Sequence, residues 1–392
     1  MRSEASSISR GKERLVTVAL VALVAVAAVL AFRVSTESLA VPGETPAPTF
    51  TFQARPSPTF VPLSTLAPDA LRVFSVASLP TDFRFVLVGD AGDERLLLLD
   101  LTAKRVAMVA HFEGTASFEN GRVVETATVA SGETVVIHVR SDGANARLYL
   151  IKPATGAVRS FTVPRSEQPR LSPDAATIAV TRNSTDPEQN GLWLLRASDG
   201  TGRRLLADAG RRGTRVVQWS SDGKRLSALV DVGAGQTELV VLDTSGGATP
   251  LLGKATDARW RGTDLMFWDF TSPGPLHQYD AANGIAAPAA YAPASGVIID
   301  RAELRPRSGG LAVREHTSST LPRILVYDGT TGTTVVRVAD AQWVLGFWWS
   351  ADATRLYAWN FDNGTTNVRD VLSDELIVTF CFRVKIEPPC QQ

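Results

Sequence analysis

The stretch Trp219-Ser-Ser-Asp-Gly-Lys-Arg-Leu226 decides the fold. Asp and Ser side chains accept hydrogen bonds from nearby backbone N–H groups, and glycine supplies a positive φ, so the segment reads as a tight turn between two strands. Its apolar ends, Trp219 and Leu226, are the inward-facing ends of those strands. Leu171-Ser-Pro-Asp-Ala-Ala-Thr-Ile178 and Trp349-Ser-Ala-Asp-Ala-Thr-Arg-Leu356 repeat the pattern. A strand follows each copy: Ile178-Ala-Val, Leu226-Ser-Ala-Leu-Val and Leu356-Tyr-Ala-Trp.

Weaker copies fill the gaps. Val129 to Val136 and Leu304 to Leu311 keep the spacing, Trp260 to Asp264 is shortened, and Ser78 to Asp82 precedes a first strand at Phe83. The copies start at positions 129, 171, 219, 260, 304 and 349, at near-regular intervals. The interval is that of a four-stranded propeller blade. A second element recurs behind each turn, a short strand closed by a Gly turn, as in Leu239-Val-Val-Leu-Asp-Thr-Ser-Gly246 and Ile324-Leu-Val-Tyr-Asp-Gly-Thr-Thr-Gly332. Helical periodicity is absent after residue 70. The expected fold is therefore an all-β propeller of about seven four-stranded blades. Six blades would result if residues 70–112 only closed the ring with a C-terminal strand near 375–384. The tryptophans at the turns are expected to fill the wedges between blades.

The W-S-x-D-G-x-x-L pattern resembles the WD40-like, PD40-type repeat of TolB-like β-propellers, over residues 70–385, with Trp219 to Gly223 the best copy. Proteins of that kind serve as docking platforms, as accessories in sugar or peptide processing, and as gating domains of serine peptidases. The shared motif belongs to the scaffold, so the resemblance carries no functional residue into this chain. Several copies lack the Asp or the Gly, and no N-terminal TolB-specific domain is recognisable.

Upstream of the repeats, residues 15–32 read LVTVALVALVAVAAVLAF, a continuous uncharged run. As a helix it spans about 27 Å, close to the hydrocarbon thickness of a bilayer. Arg2, Arg10, Lys12 and Arg14 precede it and only Arg33 follows closely. The positive-inside rule then keeps residues 1–14 in the cytoplasm as a short tail and exports the rest. A cleaved signal ending at Ser38-Leu39-Ala40 is the competing reading; the length of the apolar run and the position of Arg33 favour an uncleaved anchor. Residues 33–69 form a Pro/Thr-rich linker, semi-rigid because proline cannot join a ladder and favours extended backbone. Residues 70–392 are the propeller domain. The expected location is the cell membrane, single-pass, with the C-terminal domain extracytoplasmic.

Lys+Arg and Asp+Glu are equal at 40 each, which argues against nucleic acid as a partner. The two cysteines, Cys381 and Cys390, are candidates for a small disulfide-closed loop in an exported domain, or remain two thiols. No nucleophile elbow, phosphate loop or paired metal-binding histidines occur in the sequence, so neither a cofactor nor a metal is expected. Asp90-Ala-Gly-Asp93-Glu94 has acidic spacing but lacks the remaining ligands of a calcium loop. In Trp343 to Trp349, Phe347 and Trp349 are expected to face one side and Trp348 the other, with blade packing on both sides favoured over a ligand-stacking role in the funnel.

The longest irregular insertions, Asn183 to Asn190 and Phe270 to Leu276, fall between second and third strands and so emerge on one rim with Asp362 to Thr366. Loops carry recognition more often than scaffold strands do. Trp268, Phe270 and His277 are the candidate contacts on that rim. The function expected is a membrane-anchored binding or scaffold module for a protein, peptide or glycan at the cell envelope. The alternative is a propeller hydrolase or lyase whose catalytic groups converge in the central funnel.

Overall fold

Seven antiparallel sheets follow one another along the chain, as a ring of blades requires. The computed structural model describes residues 70–381 except 91–92, 114–121, 124, 129–132, 143–144, 183–185, 208–212, 247, 282, 307–308, 329–331, 335–343 and 363–364. The apolar run 15–32 and the linker lie outside the described residues. Among the described residues no helix is long and apolar enough to cross a membrane.

Blades two to seven each contribute an inner strand: Glu125–Thr128, Ser166–Leu171, Thr214–Trp219, Asp257–Arg261, Ile298–Leu304 and Val344–Trp349. The second, third and fourth strands of each blade follow in chain order toward the outside. Neighbouring blades touch through their inner strands, which therefore surround a common axis. The apolar core is not one mass. It is divided into seven clusters, one in each seam between adjacent blades. The seam between blades seven and one is among them: Trp348, Tyr357 and Val368 pack there on Val86, Val88 and Leu99. The ring is closed.

Among the described residues no strand is exchanged between the ends of the domain. Blade seven is built wholly from the C-terminal repeat, Val344–Trp349 to Glu375–Cys381. Blade one holds Phe83–Asp90, Asp93–Asp100 and Arg105–Glu113 as its second to fourth strands. Ala70–Val73 is added outside the fourth strand rather than at the inner position. Among the described residues the inner position is filled only by Arg122–Val123, the chain just upstream of blade two, paired to Val86 and Leu87. The blade seven–one seam is held by its apolar cluster, by the Lys104–Glu375 ion pair and by the Tyr357 hydroxyl on Asp82.

The three best turns have one geometry. Ser172, Ser220 and Ser350 donate to Asp174, Asp222 and Asp352 at 2.5, 2.7 and 2.6 Å. Each serine oxygen also accepts the N–H of Thr177, Arg225 or Arg355 at 2.9 Å. The next position is left-handed in all three, with φ of 56° at Ala175, 68° at Gly223 and 62° at Ala353. The weak copy at Val129 is corrected by the register. Thr126, not Val129, pairs with Val136, as Trp219 pairs with Leu226, so the turn of blade two is longer than the sequence spacing implies.

Candidate functional site

The first turn and the third–fourth turn of a blade lie together, since the Thr244 hydroxyl bonds the Lys224 carbonyl at 3.0 Å. This is the turn rim. The second–third loops lie beside the inter-blade connections, as Phe270 N–H on the Thr256 hydroxyl at 2.7 Å shows. This is the loop rim. Between the two runs the wall of the channel.

The pairing register places one residue per blade at the same height on this wall. Each inner strand has a residue paired to the apolar start of its second strand: Thr126, Leu171, Trp219, Trp260, Leu304 and Trp349. Pleating turns the preceding residue to the opposite face. Those preceding residues are Glu125, Arg170, Gln218, Arg259, Glu303 and Trp348. Four of the six are charged, which a purely structural seam does not need.

Arg84 completes the belt from blade one. Leu101 N–H bonds the Asp82 carbonyl as Thr244 N–H bonds that of Lys224, so Arg84 is equivalent to Leu226. Elsewhere that position holds Val136, Ile178, Leu265, Leu311 and Leu356 behind an inner strand. With no full inner strand in front of it, Arg84 comes within electrostatic reach of Glu303, Glu125 and Arg301. Its guanidinium also lies over the Trp348 ring, 5.4 Å from the centroid.

These groups share one space. Glu125 of blade two senses Arg259 of blade five as well as Arg170 and Arg84. Arg170 approaches Glu125 at 3.5 Å, and Arg259 pairs with Asp257 at 2.7 Å and Glu303 at 3.6 Å. Arg301 meets Glu303 at 3.0 Å. Side chains of the paired groups retain 19 to 33% of their exposure, so they are enclosed yet wetted. Burial first, opposed by the three arginines, pushes the Glu125 carboxyl above its usual range. Burial also lowers Arg84 and Arg215, in the latter case helped by repulsion from Arg170 and Arg259. Arg259 moves up despite burial, because Asp257 and Glu303 outweigh it. On blade seven Gly346 lets the Trp359 ring approach the backbone, since a Cβ there would collide with Trp359 Nε1 and stand 3.3 Å from Arg301 Nη1.

The candidate rim residues are not brought together as a surface. Trp268 is 1% exposed and packs in the blade five–six seam, with Arg259 over its ring, so it cannot present that ring to a partner. Phe270 is exposed on the loop rim, and exposed His277 stacks on Phe267 at 5.1 Å between centroids. Phe347 and Trp349 pack toward blade six and Trp348 toward blade one, so both faces of that tract serve packing. Asp93 is engaged by His111 at 2.7 Å and buried Glu94 by His138 at 3.2 Å, basic partners rather than a calcium shell. Among the described residues no cluster suits a metal ion. The side chains of Cys381 and Cys390 lie outside the described residues. A cavity of about 480 Å³ opens at the turn rim between blades two and three, but its Lys152 and Glu133 are already paired at 2.7 Å. The channel wall holds the charges that the scaffold leaves unspent. It is not legible in the sequence, because its members fall one to a repeat and share only a register.

No family model matches the chain, and no curated protein matches it in sequence. Similar solved structures include a prolyl endopeptidase at 12% identity and TM-score 0.51, over 76% of this chain and 50% of that one. A puromycin-hydrolysing peptidase of Mycobacterium tuberculosis is similar at 18% identity and TM-score 0.51, over 79% and 55%. TolB from Acinetobacter baumannii is similar at 13% identity and TM-score 0.42, over 74% and 61%. The chain spans about half the length of the two peptidases. At these identities the likeness is one of fold, a seven-bladed β-propeller.

Proposed function

We propose that the protein is a membrane-anchored, extracytoplasmic binding module that takes up part of a protein, peptide or glycan through its loop rim and channel. The anchor rests on the apolar run 15–32 and its basic flank. The binding role rests on one observation above all. Five guanidiniums and three carboxylates from several blades are gathered within electrostatic reach of one another along the inner strands. Partly buried charges of this kind are weak contributors to stability, which makes their wall the candidate site of recognition. Phe270 and His277 are exposed side chains of blade five that a partner on that rim would meet.

Glu125 favours a second reading. A carboxyl raised by burial beside arginines is suited to carry a proton, as a channel hydrolase or lyase requires. In that case Glu125→Gln would abolish turnover and leave binding.

Crosslinking from single cysteines in intact cells tests the binding role. Partner adducts are expected from positions 215, 270 and 277, and adducts confined to the turn rim, for example at 224, would overturn it. A reporter fused after residue 392 tests the topology and should be active only when exported. A soluble mature chain starting near Val41 would remove the anchor and leave export standing.

A further inference from the structure

The channel belt is unevenly paired. Arg84, Arg170, Arg215, Arg259 and Arg301 face Glu125, Asp257 and Glu303, with Asp82 in reach of Arg84 and Asp300 in reach of Arg301. The acids are also unevenly claimed. Arg259 takes Asp257 at 2.7 Å and shares Glu303 with Arg301, and Arg170 takes Glu125.

Two cations have no direct ion pair among the described residues. Arg84 contacts the face of Trp348 and senses Glu303, Asp82 and Glu125 from farther off. Arg215 spends one N–H on the Thr256 carbonyl at 2.5 Å and pairs directly with no carboxylate among the described residues. The acid within its electrostatic reach, Asp257, is already held by Arg259. Arg215 also senses Arg170 and Arg259, two like charges. Arg170 itself directs Nε to the Val217 carbonyl at 2.8 Å, and its guanidinium remains on the same arc. Beside them the Gln218 amide is fixed by its oxygen, which accepts Trp260 N–H at 3.0 Å. Its NH₂ end is an uncommitted donor among the described residues. On Arg301, Nε is buried with no acceptor among the described residues.

Three guanidiniums and one amide donor lie on neighbouring blades within reach of one another, and of the three cations Arg215 has no direct ion pair among the described residues. We infer that the arc Arg170–Arg215–Gln218–Arg259 is a binding site for a carboxylate-bearing ligand carrying one or two negative charges. Guanidinium forks match a planar carboxylate through two parallel hydrogen bonds. Glu125 and Glu303 flank the arc and disfavour more highly charged anions such as phosphate clusters. They also offer acceptors to hydroxyl or amide groups of the same ligand.

This inference rests on reading the channel as a binding site, and its test separates the two. The full chain in detergent is titrated at matched ionic strength with disodium succinate, with the neutral isostere succinamide, and with inorganic phosphate. Saturable succinate binding by calorimetry is expected, with succinamide and phosphate at least tenfold weaker. Arg215→Gln should weaken succinate at least tenfold, Arg215→Lys less, and Arg165→Gln, an exposed control paired with Glu167, not at all. Equal binding of succinate and succinamide, or succinate binding unchanged in both Arg215→Gln and Arg170→Gln, overturns the inference. So does the absence of any saturable binding. If the crosslinking scan still yields channel or rim adducts in that case, the binding module stands and only its anion preference falls. Melting curves of each variant show that a lost affinity is not lost folding.

Discussion

The indole Nε1 of Trp219 donates to the main-chain carbonyl of Arg170 in the preceding blade, at 2.9 Å. Trp260 does the same to Gln218 at 3.1 Å and Trp349 to Glu303 at 3.3 Å. The wedge residue of one blade therefore grips the backbone of the channel residue of the blade before it. Packing of the ring and presentation of the belt are one construction. Trp219→Phe keeps most of the buried area and loses the hydrogen bond, at a cost of about 1 kcal/mol. Trp219→Ala also opens a cavity and should cost about 3–5 kcal/mol. Urea melts measure both, and equal losses in the two variants would show that the hydrogen bond, not the ring volume, dominates.

Ala175 and Ala353 stand where Gly223 stands in the best turn, all with φ between 56° and 68°. An L-residue with a Cβ is disfavoured there by about 1–2 kcal/mol. Glycine removes that cost but adds freedom to the unfolded chain. Ala353→Gly should raise stability by about 0.5–1 kcal/mol, and Gly223→Ala should lower it by a similar amount. At Gly223 a Cβ meets only Pro173 Cδ at 3.6 Å, so the loss there would be conformational rather than steric. Thermal melts of the pair that move in the same direction would contradict this account.

The turn aspartates set an acid limit. Ser350, then the Thr354 N–H and hydroxyl, pull the Asp352 carboxyl down to about 2. Ser220 and the Lys224 N–H lower Asp222 in the same way. Both lie below the value of about 3.9 for unfolded aspartate. A depressed carboxyl contributes stability that is complete above the unfolded value and lost as pH falls through the folded one. The melting temperature should therefore fall as pH drops from about 4 toward 2. Asp352→Asn should make that fall shallower, and an unchanged slope would assign acid sensitivity to other groups.

Among the described residues blades seven and one share no backbone ladder, and a Tyr357 hydroxyl on Asp82 with the Lys104–Glu375 pair supplements their apolar cluster, so the ring should open at this seam. Native-state hydrogen exchange should show Phe83–Asp90 and Glu375–Cys381 opening at lower free energy than Arg225–Gly233 in blade four. Tyr357→Phe should widen the gap by about 1 kcal/mol. Uniform protection around the ring would mean that closure is as firm as any other seam.

The four-stranded repeat was readable because its signals are local. Ser-x-Asp turns, Gly turns and period-2 strands are chemistry between near neighbours in the chain, and their recurrence gives the blade and its period, while the count of seven comes from the sheets themselves. The apolar run 15–32 and its basic flank are equally local, and they alone motivate the anchor. What tertiary structure decided depends on register and on neighbours in other repeats. Trp268 reads as a rim aromatic, but pleating turns it into the blade five–six seam. Val129 reads as a turn copy, but the ladder gives that place to Thr126. Arg84 reads as one charge in an apolar strand. Among the described residues blade one has only Arg122–Val123 at its inner position, and Arg84 senses Glu125 of the next repeat and Glu303 of a distant one. Charge complementarity across an axis is a sum over several blades, so no single stretch of sequence carries it.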